Sequence, residues 1–138
     1  AVIGKVTSGG PSPTLGRNIA MGYVPPISAW HISDMEKNGV LSGYISALSN
    51  TAPAFSAFID FSVPSLVTSR TDITYDGSHY QPSINLLIVR ALQSNTSPDW
   101  GVSLKQMGFI GLAQRYQMAL NAFRLHEASR RPTQAQHD

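Results

Sequence analysis

The sequence predicts a mixed fold that is predominantly α-helical and begins with a short β segment. Three observations lead to this prediction. Apolar residues recur at helical spacing in three stretches, residues 55–61 have the length and composition of a buried strand, and residues 1–26 are rich in Gly and Pro. We therefore divide the chain into a β segment (1–26), a mainly helical domain (27–131) and a flexible tail (132–138).

The N-terminal segment predicts two short strands, at residues 1–6 and 18–24. Between them, residues 7–16 contain Gly9-Gly10-Pro11 and Ser12-Pro13, which are typical of a turn-rich loop. Pro25-Pro26 ends the second strand, because proline lacks the amide hydrogen that the interior of a sheet requires. We expect a structural β-hairpin from this segment.

The first helix is predicted at residues 33–50. Ser33-Asp34-Met35-Glu36 has the pattern of a capping box, in which the serine and the glutamate satisfy free amides at the helix start. Gly39 and Gly43 each weaken this helix by about 1 kcal/mol relative to alanine. Four apolar residues recur at helical spacing and form its stripe: Leu41, Tyr44, Ile45 and Leu48.

A short strand and a second helix follow. Residues 55–61 predict a mostly buried strand, and residues 82–94 predict a helix that begins at Pro82, where a missing amide hydrogen has no cost. Between them, Asp76-Gly77 is a turn signal, because aspartate tolerates a left-handed backbone and glycine adopts positive φ freely. The helical stripe consists of Ile84, Leu87, Ile88, Ala91 and Leu92.

The third predicted helix covers residues 103–130, with Ser103 as its N-cap. Arg115 and Arg124 lie off the apolar stripe of this helix. We interpret the helix as one that packs on another protein, and we name Trp100 in the preceding turn as a further contact. Nucleic-acid binding is not favoured, because basic and aromatic residues do not alternate as on a base-stacking surface. The stripe includes Leu112, Tyr116, Ala119, Leu120 and Phe123.

The composition favours association. Charged residues make up 13% of the chain, against ~25% in ordinary soluble domains, and the formal net charge is +2. A surface so poor in charge does little to prevent contact between proteins, so we expect partners to cover much of it.

Several classes of site receive no support. The absence of cysteine excludes disulfides and thiolate metal sites, and His31, His79, His126 and His137 lack the spacing of metal ligands. We therefore predict no metal and no cofactor. No apolar run has the length of a membrane span and no signal peptide is visible, so the sequence assigns no compartment.

The constellation that suggests chemistry is Asp76-Gly77-Ser78-His79. A carboxylate placed near a histidine can orient the imidazole and stabilise its protonated form, as in a serine hydrolase triad. The order of strand, loop, Asp-x-x-His and helix over residues 38–95 resembles the C-terminal end of the SGNH (GDSL-like) hydrolases. The resemblance implies that His79 is a general base with Asp76 as its partner. The chain contains no Gly-Asp-Ser nucleophile block, and Ser78 is too close to His79 in sequence to replace it.

A second resemblance lies in residues 4–24, Gly-Lys-Val-Thr-Ser-Gly-Gly-Pro-Ser-Pro-Thr-Leu-Gly-Arg-Asn-Ile-Ala-Met-Gly-Tyr-Val. This stretch is similar to the start of the C-terminal barrel of glycine-cleavage T-protein (aminomethyltransferase). In that family the stretch forms two neighbouring strands joined by a tight loop. The resemblance implies shared ancestry or a borrowed segment, since the folate-binding domain of the family would lie upstream.

Three functions follow from the sequence. The favoured one is a non-catalytic assembly subunit that packs into a larger complex or filament through apolar helix faces. Its predicted contacts are Trp100, Tyr116, Phe123, Arg115 and Arg124. The alternatives are an ester hydrolase (deacetylase) fragment that uses His79 and Asp76, and an aminomethyltransferase-related protein linked to tetrahydrofolate. The sequence leaves enzymatic activity open.

Overall fold

The computed structural model describes residues 5–12, 17–105 and 107–130, with side chains described from Ala20 onwards. Four strands form one sheet in the order β1-β2-β3-β4: β1 (Lys5–Ser12), β2 (Arg17–Val24), β3 (Ala57–Asp60) and β4 (Val102–Ser103). The pair β2/β3 is parallel, and the pairs β1/β2 and β3/β4 are antiparallel. Four helices accompany the sheet: α1 (Ala29–Lys37), α2 (Leu41–Thr51), α3 (Pro82–Ser94) and α4 (Phe109–Arg130).

Helices cover both faces of β3. Phe58 packs with α1, α2 and α4 in one core cluster, and its neighbour Ile59 packs with α3 in a second cluster. Successive strand residues point to opposite faces, so β3 is buried throughout, which explains its almost continuous apolar sequence. The prediction of a mixed, predominantly helical fold is confirmed.

The prediction of one helix at residues 33–50 is wrong, because this region is divided into α1 and α2. Gly39 has φ +73°, and the amides of Asn38, Gly39 and Val40 bond back to carbonyls in the last turn of α1. This pattern is a Schellman motif, in which a left-handed glycine ends a helix and satisfies its free carbonyls. Gly39 therefore ends α1 rather than merely weakening a longer helix.

The predicted capping box at Ser33 is also wrong. The helix α1 begins four residues earlier, and Ser33 is a buried residue in its interior. The amide of Ala29 donates to the carbonyl of Thr68 at 2.9 Å. The first amide of α1 is therefore satisfied by a carbonyl from a loop distant in sequence. For this reason, no local residue pattern indicates where α1 begins.

The second predicted helix, at residues 82–94, is confirmed with the same bounds. Its predicted apolar stripe is wrong at Leu87, which is 43% exposed, whereas Ile84, Ile88, Ala91 and Leu92 are buried. Asn95 follows it with φ 49°, and the amide of Thr96 donates to Ala91 at 3.0 Å, which again closes the helix with a left-handed residue. The strand predicted at residues 55–61 is confirmed over its central residues, 57–60.

The third predicted helix begins at Phe109 rather than at Ser103, so the N-cap assigned to Ser103 is wrong. Ser103 pairs with Ile59 in the sheet, and the amide of Leu104 donates to Phe58 at 2.9 Å. Leu104 is 2% exposed, so the burial of its side chain beside β3 determines the backbone conformation at this point. The predicted stripe of this helix is correct: Leu112, Tyr116, Leu120 and Phe123 are buried.

In the N-terminal segment, the second predicted strand is confirmed, but the loop assigned to residues 7–16 is wrong over residues 7–12. These residues belong to β1, where Pro11 pairs opposite Asn18. An edge strand tolerates proline because one side of its backbone needs no sheet partner. Residues 1–4 and 13–16 and the predicted tail at 132–138 lie outside the described residues, and the division into domains stays a prediction.

Among the helices that the structure describes, none combines the length and the apolar character needed to cross a membrane.

A buried phenol in the second core cluster gives a stability prediction. Tyr80 is 6% exposed, its hydroxyl has no hydrogen-bond partner within the described residues, and burial raises its pKa to about 12. Because an unpaired buried hydroxyl costs about 1–3 kcal/mol, we expect Tyr80→Phe to raise the free energy of unfolding by about 1 kcal/mol. Urea denaturation of both proteins measures this, and a loss of stability would show that the hydroxyl has a partner.

Candidate functional site

Asp76 and His79 form the hydrogen-bonded pair that the sequence suggests. The distance from His79 Nδ1 to Asp76 Oδ2 is 2.6 Å. The other carboxylate oxygen of Asp76 accepts from the amides of Ser78 at 2.9 Å and His79 at 2.8 Å. The backbone amides of the turn therefore hold the Asp76 carboxylate in position, and the carboxylate orients the His79 imidazole.

The turn itself follows from local sequence. Gly77 has φ +84°, a conformation that residues with a Cβ rarely adopt, and its amide donates to Thr74 Oγ1 at 2.8 Å. Tyr75 and His79 are joined across the turn by a 2.8 Å bond from amide to carbonyl. The result is a closed loop that ends three residues before α3.

A second set of contacts attaches this turn to α1. The amide of Ser28 donates to the Gly77 carbonyl at 2.8 Å, and the amide of the next residue, Ala29, holds the loop at Thr68. A Cβ on Gly77 would lie 2.9 Å from His31 Cε1 and 3.1 Å from Ser28 Cβ, so the two segments are in close contact. Sequence reasoning missed this contact, since no local pattern relates residues so far apart in the chain.

The arrangement suits a general base better than a complete catalytic site. The His79 side chain is 78% exposed, so Nε2, the nitrogen that does not face Asp76, is open to solvent. Ser78 Oγ lies 3.4 Å from Nδ1 and donates to Asp76 Oδ1 at 3.0 Å. Ser78 therefore helps to hold the Asp76 carboxylate in position. No serine hydroxyl among the described residues forms a hydrogen bond with Nε2.

The pair predicts a specific titration of Asp76. Its hydrogen bond with His79, followed by the amides of Ser78 and His79, lowers the pKa of the Asp76 carboxyl well below its ordinary value of 3.8. The interaction of Asp76 with His79 therefore stabilises the folded state above pH 3.8, and this stabilisation is lost as the pH falls towards the lowered pKa of Asp76. We expect carboxyl ¹³C NMR to show Asp76 titrating below the ordinary value of 3.8, and this displacement to shrink in His79→Ala. A midpoint at or above 3.8 for Asp76 would contradict the pairing.

Four of the five residues predicted as partner contacts make contacts inside the chain. Tyr116 and Phe123 are buried, and Trp100 is half-buried against Phe61 at 4.8 Å between ring centroids. Arg124 forms an ion pair with Glu36 of α1. Arg115 is exposed beside a cleft of 230 Å³ that Trp100 also lines. The interaction roles of these five residues stay predictions. Within the described ranges, no group of three potential metal ligands occurs.

Asp60 at the end of β3 is a functional-looking residue that sequence reasoning passed over. Its side chain is fully buried and accepts from the Ser62 amide at 2.8 Å, Ser62 Oγ at 2.7 Å and the Tyr116 hydroxyl at 2.6 Å. Tyr44 Oη lies 2.9 Å from Ser62 Oγ and completes the network. Burial raises the pKa of Asp60, and the hydrogen bonds from Ser62 and Tyr116 oppose this. The sequence did contain a signal for this residue, namely an aspartate inside a predicted apolar strand.

Comparison with known proteins supports one of the two resemblances. Residues 1–45 match the model of the glycine cleavage T-protein C-terminal barrel domain. An aminomethyltransferase from Streptomyces coelicolor is 75% identical over 28 residues, which are 20% of this chain. The match spans 8% of the length of that relative, and no solved structure matches the chain. The resemblance predicted for residues 4–24 is thus supported. The resemblance to SGNH hydrolases stays a prediction, and Asp76 and His79 lie outside the matched residues.

Proposed function

We propose that this chain supplies the histidine–aspartate half of a serine-type ester hydrolase. The observation that carries the proposal is the 2.6 Å contact between His79 Nδ1 and Asp76 Oδ2, on a histidine whose other nitrogen is open to solvent. The serine would come from outside the described residues, either from the remainder of a longer protein or from another chain. The isolated pair is therefore one part of a site.

The geometry suits proton transfer in both halves of ester hydrolysis. His79 Nε2 would accept the proton of the serine hydroxyl as the oxygen attacks the ester carbonyl, while Asp76 stabilises the imidazolium that forms. The same proton would then pass to the leaving alkoxide. A second cycle with water would release the acid and restore the serine. General-base catalysis of this kind contributes about 10²–10⁴-fold to the rate.

The test uses the protein that carries this sequence, with p-nitrophenyl acetate as substrate. We expect His79→Ala to lower kcat by at least about 100-fold, the low end of the general-base contribution, and Asp76→Asn to lower it less. His126→Ala is the matched control, because His126 is an exposed histidine on α4, whereas Asp76 and His79 lie in the turn before α3. A fluorophosphonate probe should label one serine in a His79-dependent manner. Activity that is insensitive to His79→Ala, or the absence of both labelling and activity, would reject the proposal.

An assembly subunit is a second candidate, because several large apolar side chains are exposed. On α3, Leu86 is 50% exposed and Val89 is 47% exposed; on α4, Ile110 and Leu125 are more than 70% exposed. Apolar side chains grouped on helix faces favour burial by a partner. Analytical ultracentrifugation decides this question: we expect an oligomer, and a thermostable monomer would count against the subunit role.

A tetrahydrofolate-linked role is favoured by the family match of residues 1–45. The antiparallel neighbours β1 and β2 agree with the strand pair that the family leads us to expect. A ligand that binds the native state raises its melting temperature in proportion to the logarithm of ligand concentration. The absence of a thermal shift with millimolar tetrahydrofolate would remove this candidate.

A further inference from the structure

Helix α4 has apolar side chains on two opposite faces. The inner face packs into the core through Leu112, Tyr116, Leu120 and Phe123. Ile110 lies two residues before Leu112, which is about 200° around a helix of 3.6 residues per turn. On this outer face, Ile110 is 71% exposed, Met118 is 67% exposed and Leu125 is 74% exposed. A surface helix that buries one face normally has polar residues on the other, so the outer face of α4 needs an explanation.

The three exposed apolar residues belong to one continuous stripe. Two amide residues occupy the intervals between them, so that the order along the helix is Ile110, Gln114, Met118, Asn121 and Leu125. Steps of three and four residues keep all five on one side of a straight helix. All five residues are exposed, and none is charged. We call this set the outer stripe of α4.

The charged residues of α4 lie outside the outer stripe. Arg124 forms an ion pair with Glu36 of α1, so its guanidinium is directed towards the body of the chain. Arg115 follows Gln114 by one residue, about 100° further around the helix, and lines the cleft beside Trp100. Two copies of α4 can therefore approach along their outer stripes without placing like charges opposite each other.

The outer stripe has the same chemistry when it is read in either direction. Met118 lies at its centre, eight residues after Ile110 and seven before Leu125. Gln114 and Asn121 lie four residues before and three residues after this centre. If two such helices pack antiparallel about Met118, Ile110 faces Leu125 of the second copy and Gln114 faces its Asn121. Apolar side chains then meet apolar side chains, and each amide meets an amide, a group that both donates and accepts.

This self-complementarity indicates a second copy of the chain as the occupant of the stripe. A contact between two identical chains usually has twofold symmetry, in which the same surface of both copies must match itself. The amides also fix the register, because a shifted pairing would place Gln114 and Asn121 against apolar side chains and leave their hydrogen bonds unmade. Gln117 supports this arrangement, since its amide donates to Asn121 Oδ1 at 3.1 Å and holds that side chain in the stripe.

We propose that this chain forms a dimer in which the outer stripes of two α4 helices pack antiparallel around Met118. The inference rests on the assembly-subunit candidate, to which it adds the partner, the contact face and the direction of packing. Burial of three exposed apolar side chains on each copy supplies the driving force.

Sedimentation equilibrium of the whole chain and two variants tests the contact face. We expect a dimer for the unchanged sequence. Met118→Glu should raise the dimer Kd by at least about 100-fold, because the twofold axis brings the two carboxylates together. Val89→Glu is the matched control on α3, where the replaced residue is 47% exposed, and it should leave the Kd unchanged. Circular dichroism should show the same helix content in all three proteins.

Cysteine crosslinking tests the direction of packing. The chain contains no cysteine, so thiols introduced one at a time react only with each other. We expect a short bismaleimide to join Met118→Cys to its own counterpart in the dimer. Ile110→Cys and Leu125→Cys should be joined when the two variants are mixed, and neither should be joined to itself. Crosslinking of Ile110→Cys to itself would indicate parallel packing and would overturn the inference.

The remaining outcomes separate the inference from the subunit candidate. A dimer that Met118→Glu leaves intact and Val89→Glu disrupts would overturn the inference and retain the subunit candidate, with α3 as its contact. A monomer at every concentration would reject both. A dimer that Met118→Glu dissociates, with the mixed crosslink between positions 110 and 125, would establish the antiparallel contact.

Discussion

Tyr116→Phe is expected to lower the free energy of unfolding by about 1–3 kcal/mol, because it removes one of the hydrogen bonds that a buried carboxylate receives. The Tyr116 hydroxyl donates to Asp60 at 2.6 Å, and both side chains have no exposed surface. The described residues place no cation beside Asp60, so hydroxyl and amide donors alone compensate the cost of burying it. Chemical denaturation with a double-mutant cycle against Asp60→Asn measures the interaction.

The loss of stability caused by Tyr116→Phe should increase with pH. The bond from Tyr116 lowers the pKa of Asp60 against the rise caused by burial, so its removal raises that pKa further. A raised carboxyl pKa means that the folded state holds a proton that the unfolded state has lost, and stability then falls as the pH rises above 3.8. The difference between wild type and Tyr116→Phe should therefore be smaller at pH 4 than at pH 8. Tyr80→Phe is the matched control, since its hydroxyl has no partner in the described structure.

Gly77→Ala is expected to have the second large effect, on both stability and the candidate site. At φ +84° an added side chain is strained by about 1–3 kcal/mol. Its Cβ would also lie 2.9 Å from the His31 ring and 3.1 Å from Ser28 Cβ, which forces the turn away from α1. We expect a lower melting temperature and faster hydrogen exchange at the Ser28 amide, which donates to the Gly77 carbonyl.

Gly43→Ala is the control for that substitution. Gly43 lies in α2 with no atom within 4 Å of an added Cβ, so alanine there should stabilise the helix by about 1 kcal/mol. If Gly77→Ala behaves like Gly43→Ala, the turn does not need a left-handed glycine and the described attachment to α1 is wrong.

Sequence reasoning succeeded where the determining contacts are local. The helix at residues 82–94 was predicted with its correct ends, because Pro82 suits a helix start and the stripe through Ile84 and Ile88 repeats at helical spacing. The Asp76-Gly77 turn was predicted for the same reason, and it brings Asp76 and His79 together within four residues. The left-handed Gly39 was misread as a mere weakness in a helix, although glycine is also the residue that most often ends one.

Local sequence patterns are enough to predict the predominantly helical class, the buried face of α4, that of α3 except for the exposed Leu87, and the carboxylate–imidazole pair, since each depends on residues a few positions apart. The first residues of α1 and α4, the loops that α1 holds and the burial of Asp60 in a network with Tyr116 depend instead on contacts between distant segments. The physical reason is that donors and acceptors at these places are satisfied by groups distant in the chain. A buried polar group must find a partner somewhere, but the local sequence does not specify which one.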